Sequence, residues 1–75
     1  MTVDEMKTLV NYVDAMDPRV FRDDAQRKAA TWSWIDVLGW VDFPVAKTAV
    51  SNHYQDYMEP ITVAQLNRYC NEIVD

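Results

Sequence analysis

Little punctuation interrupts this chain: its 75 residues include one glycine, three prolines, one cysteine and one histidine. A single cysteine, Cys70, cannot close an internal disulfide, so the fold has to rest on its core and the thiol fits a reducing compartment. A single histidine, His53, leaves no Cys/His set from which to build a zinc site. Runs of apolar residues are short, well below the ~20 needed to span a membrane. The opening Met-Thr-Val-Asp-Glu lacks the basic region and apolar run of a signal peptide, so a cytoplasmic protein is expected. Basic residues are the minority as well: 7 Lys and Arg against 12 Asp and Glu give a formal charge of −5. That balance disfavours wrapping nucleic acid, because such binding depends on cations neutralising phosphates. No glycine-rich phosphate loop and no Walker lysine motif occurs. No cofactor is expected.

Apolar residues make up 49% of the chain and charged ones 25%, an ordinary balance for a globular domain. The length suffices for one domain, and a domain of this size buries only about 60% of its unfolded surface. Helical periodicity fills almost all of it. Thr2 with Glu5 matches a capping box, and Val3, Met6, Leu9, Val10, Val13 and Met16 then recur at threes and fours on one stripe. This predicts a first helix over 3–16, ended by Asp17-Pro18 because the residue before a proline is pushed out of the α region. In the linker that follows, Phe21 is expected to anchor to the core.

Asp23 or Asp24 caps a second helix over 24–38. Ala25, Ala29, Trp32, Ile35 and Leu38 mark one face and Ala30, Trp34 and Val37 widen it, so this helix is expected to be the central one. Trp32 and Trp34 point roughly 200° apart on a helix, so one of them has to reach a second layer or the surface. Gly39 sits where a left-handed residue closes a helix, with Trp40 and Val41 folding back over its end. Asp42 is a cap for a third helix over 43–57, with Pro44 in its first turn and an inner stripe of Val45, Ala46, Ala49, Val50, His53, Tyr54 and Tyr57. Met58-Glu59-Pro60 ends it. Thr62 with Gln65 forms a second capping box, and Ile61 with Leu66 a hydrophobic staple. A fourth helix over 63–74 turns Val63, Leu66, Tyr69, Cys70 and Ile73 inward. The expected fold is therefore an all-α, four-helix domain with short connections.

Catalytic material is scarce. Cys70 and His53 are the only thiol and imidazole, and a lone cysteine on the inner face of a helix reads as a packing residue. His53 and Asp56 make a two-ligand edge that falls short of a closed metal site. A binding protein is expected, and not an enzyme. Arg19, Arg22, Arg27 and Lys28 cluster within ten positions but are interrupted by Asp23 and Asp24. On the fourth helix Gln65, Asn67, Arg68 and Asn71 lie off the apolar stripe, and these side-chain types read base edges in a major groove. If helices three and four form a helix-turn-helix, the fourth would be the recognition helix of an excisionase-type or repressor-type DNA binder.

The order of residues from Phe21 through Lys28, Trp34, Leu38, Asp42-Phe43-Pro44, Ala49 and Tyr54 to Pro60-Ile61-Thr62-Val63-Ala64-Gln65-Leu66 resembles the folded N-terminal domain of the phage replicative-helicase loader and inhibitor proteins. The likeness covers about two thirds of the chain. It implies a small helical module without catalytic residues, located in the host cell cytoplasm. Such a module binds the hexameric replicative helicase, holds its ATPase low and helps deliver it to an origin through an initiator protein. Family members continue into a flexible tail that engages the helicase. Trp40, Arg19, Arg22 and Arg68 are the expected contact residues, chosen for their expected exposure beside the central helix, while inhibition of another host protein is an alternative to both helicase and DNA binding.

Overall fold

A computed structural model describes residues 1–74. The four helices are α1 (Val3–Met16), α2 (Asp24–Leu38), α3 (Phe43–Asp56) and α4 (Val63–Val74), with no strand among the described residues. Local chemistry accounts for most helix ends. Thr2 Oγ1 accepts the Glu5 amide at 3.1 Å while the Glu5 carboxylate accepts the Thr2 amide at 2.9 Å, the reciprocal box that satisfies two orphan donors. The Asp23 carboxylate accepts the Gln26 amide at 2.8 Å. Thr62 and Gln65 repeat the box at α4, at 3.0 and 3.1 Å, with the staple residues Ile61 and Leu66 both buried. Asp42 holds the cap position of α3, yet its side chain makes no capping bond.

Packing forms a ring: α1 lies against α2 and α3, and α4 against α2 and α3, whereas no Cα of α1 comes within 8 Å of α4, nor of α2 within 8 Å of α3, among the described residues. The radius of gyration, 11.2 Å, equals the ~11 Å of a compact chain of this length, so no helix is splayed away. The apolar interior draws Met6, Leu9, Val10 and Val13 from α1, Ala46, Ala49 and Val50 from α3, and Leu66 and Cys70 from α4. Phe21 is buried as expected and meets Trp34 at a centroid distance of 5.4 Å, tilted by 48°, an arrangement that contributes about 1 kcal/mol beyond area burial.

Helix α2 departs from expectation. Its buried residues are Ala30, Thr31, Trp34 and Leu38, whereas Ala25, Ala29, Trp32 and Val37 face outward. It is not central; α1 supplies more of the buried apolar side chains. Apolar residues surround α2, so periodicity alone allows two stripes, and the contact of Trp34 with Phe21 selects between them. Gly39 is right-handed, at φ −59° and ψ −25°, instead of left-handed. Its missing side chain is required for another reason: a Cβ there would lie 2.6 Å from the Ile35 carbonyl oxygen. The Met1 ammonium donates to the Gly39 and Val41 carbonyls, satisfying acceptors at the α2 C-terminus where positive charge is favoured. α3 stops at Asp56; Tyr57 is the C-cap and 51% exposed, and Ile73 is likewise outside the core. Both lie at helix ends and border the groove between α3 and α4.

Candidate functional site

Polar groups inside the ring tie the α3–α4 connection to the end of α1. Asp17, only 3% exposed, accepts from the Arg19 amide at 3.0 Å, from Arg19 Nε and Nη2 at 2.8 and 3.0 Å, and from the Tyr54 hydroxyl at 2.8 Å. Tyr54 in turn accepts the Ile61 amide at 3.1 Å, and Arg19 also donates to the Met58 carbonyl. The guanidinium fork beside Asp17, opposed by desolvation and helped by Tyr54, brings the carboxyl down from 3.8 to about 2. Burial raises the Tyr54 hydroxyl, which keeps it a donor. His53 is buried next door: one ring nitrogen, Nε2, lies 2.8 Å from the Glu59 carbonyl and Nδ1 lies 3.2 Å from the Tyr69 hydroxyl. A carbonyl only accepts, so Nε2 carries the proton, and in the neutral ring Nδ1 accepts from Tyr69. Both nitrogens are thereby occupied. Cys70 is buried and its thiol is raised by desolvation, so it packs and is not paired with His53.

This network holds Arg19, one of the four expected contact residues, against the domain itself. Arg22 and Arg68 are exposed and form no ion pair among the described residues. Trp40 is 50% exposed and its indole N–H donates to Asn67 Oδ1 at 2.9 Å, joining the turn after α2 to α4 across 27 positions. Of the residues suited to reading bases, Gln65 serves the α4 cap, Asn67 holds Trp40, and Asn71 Nδ2 donates to the Asn67 carbonyl at 3.1 Å. Arg68 alone of that set has no such tie among the described residues. One polar atom of each of the three amide side chains is thus already committed within the domain.

Concavities flank the ring, among them one of about 350 Å³ beside Phe21, Trp34 and Ile61 and two that expose charged or titratable side chains. One, of about 300 Å³ between α3 and α4, is lined by His53, Asp56, Tyr57, Tyr69 and Glu72 among others; no group of three or more His, Cys, Asp or Glu placed to hold a metal ion occurs among the described residues. The other, of about 390 Å³, lies between α1 and α2. Val3, Lys7 and Asn11, one turn apart on α1, form one wall, and Arg27, Lys28, Thr31 and Trp32 on α2 form most of the other. Trp32, at 64% exposure the most open tryptophan, borders this groove. Its importance is half legible in the sequence: the roughly 200° separation from Trp34 requires one of the two to face out, but does not say which. No protein-family model, curated protein or solved structure matches the chain.

Proposed function

We propose that this chain is a non-catalytic accessory protein of phage DNA replication that binds the replicative helicase stoichiometrically and loads or restrains it, with an initiator protein as the second contact. Residue order supports the choice of helicase, through the likeness to loader and inhibitor proteins. Several residues that carry this likeness are interior: Phe21, Trp34, Leu38, Ala49, Ile61 and Leu66 are buried, and Tyr54 closes the network with Asp17. What remains for a partner is the opposite set. The observation that carries the binding role is the outward placement of Trp32, with Trp40 also half exposed, on a helix whose other face is fixed in the core. Tryptophan dominates binding hot spots because it buries a large, rigid area on docking.

Co-expression with the phage or host replicative helicase, followed by size-exclusion chromatography, tests this reading. A co-eluting complex of fixed stoichiometry is expected, weakened by Trp32→Ala. Separate elution of the two proteins at micromolar concentration contradicts it.

A further inference from the structure

We infer that the groove between α1 and α2 is a docking site for an acidic protein segment carrying an aromatic or aliphatic anchor. Charge is the first ground. Three of the seven Lys and Arg residues of an acidic chain, Lys7, Arg27 and Lys28, line this one groove. Their carboxylate partners offset only part of that charge. Arg27 bridges Asp14 at 3.1 Å and pairs with Asp24, and Lys28 reaches the same Asp24 at 3.1 Å, so one carboxylate is shared between two cations. Lys7 has no carboxylate partner among the described residues.

Shape and polarity supply the second ground. Val3, the Thr31 side chain and the Trp32 indole give the groove apolar walls, and Asn11 adds an amide at its edge. An indole left at 64% exposure beside cations suits an occupant with an apolar anchor flanked by carboxylates. Lys7, Arg27 and Lys28 set against Asp14 and the groove-lining Asp24 leave an excess of one positive charge, carried by the unpaired Lys7, which matches a short segment with a carboxylate beside its anchor. A phosphate backbone presents a charge at every nucleotide and draws its affinity from many neutralising cations, more than the three that line this groove. The backbone walls of the groove are preformed, because the inner residues of α2 are buried, so little backbone ordering is needed on binding. The inference stands on the groove and does not require the partner to be a helicase.

The test titrates the isotope-labelled protein with a glutamate–tyrosine copolymer, with polyglutamate and with oligothymidylate, following backbone amides and the three indole N–H signals by NMR. No helicase is present, so failure here is separable from failure of the helicase reading. Expected are shifts of the Lys7, Asn11, Lys28 and Thr31 amides and the Trp32 indole with the copolymer, and weaker binding of polyglutamate. Trp32→Ala should weaken the copolymer by about tenfold or more, the scale of a hot-spot truncation; the exposed indole can be removed without opening the core. Lys7→Glu should weaken it several-fold, and the same reversal at Lys47, which sits on α3 over the Tyr12 ring, should not. Four results overturn the proposal: no perturbation of the groove, equal binding of polyglutamate, tighter binding of oligothymidylate, or equal effects of Lys7→Glu and Lys47→Glu.

Discussion

Replacing Asp17 by Asn tests the link between the polar network and stability. The side chain keeps its size and loses its charge. Asp17 accepts three hydrogen bonds from Arg19 and one from Tyr54, and an amide oxygen cannot serve all of these donors. The fall of its pKa from 3.8 to about 2, at about 1.4 kcal/mol per pKa unit, corresponds to somewhat over 2 kcal/mol. The Arg19 side chain is 59% exposed, so solvent screening lowers that to about 1 to 2 kcal/mol. The pKa is depressed in the folded state, so this stability is present above the unfolded value of 3.8 and is lost as pH falls through about 2. Urea unfolding of both proteins at a series of pH values reads the difference directly. The native protein should be more stable by about 1 to 2 kcal/mol near neutrality, and its margin over the variant should close between about pH 4 and pH 2. Asp24 is also depressed, chiefly by its hydrogen bond to Lys28, but it is common to both proteins and cancels. A margin that does not change with pH, or a variant as stable as the native protein near neutrality, would refute the reasoning.

Further outcomes follow from single contacts. Tyr54→Phe leaves the Ile61 amide without its acceptor and removes one of the two donors to Asp17 Oδ2, and should cost about 1 to 3 kcal/mol, read as a fall in Tm. Gly39→Ala should lower the urea midpoint, although alanine normally favours a helical backbone by about 1 kcal/mol, because its Cβ would meet the Ile35 carbonyl oxygen at 2.6 Å; an unchanged or raised midpoint contradicts that. Cys70, buried and with a raised thiol pKa, should react with a disulfide reagent only at the rate of unfolding, so fast labelling of the native protein would show the thiol to be open.

Elements whose cause is local are legible in the sequence. Thr2 with Glu5, Asp23 with Gln26, and Thr62 with Gln65 satisfy their own helix ends within a few residues, and Phe21 is marked by being too apolar for a linker. Elements fixed by distant partners are not. Asp17 reads as a helix stop, and nothing nearby reveals that Tyr54, 37 positions away, makes it a buried acceptor. The rotation of α2 is settled by Phe21 and the ring of helices, because its apolar residues leave two faces nearly equal. Trp40 is expected to face a partner, and it does remain half exposed, but its indole N–H is engaged by Asn67. Trp32 therefore becomes the more open anchor, and the groove that it borders exists only once α1 and α2 are packed together.

The helicase-binding role is tested most directly by the ATPase rate of the replicative helicase titrated with this protein and with its Trp32→Ala form. The rate should fall and level off at a fixed protein-to-helicase ratio, with the variant needing higher concentration to reach the same level. A rate unchanged at excess protein, with no complex detected by sedimentation of the same samples, would contradict the proposed role.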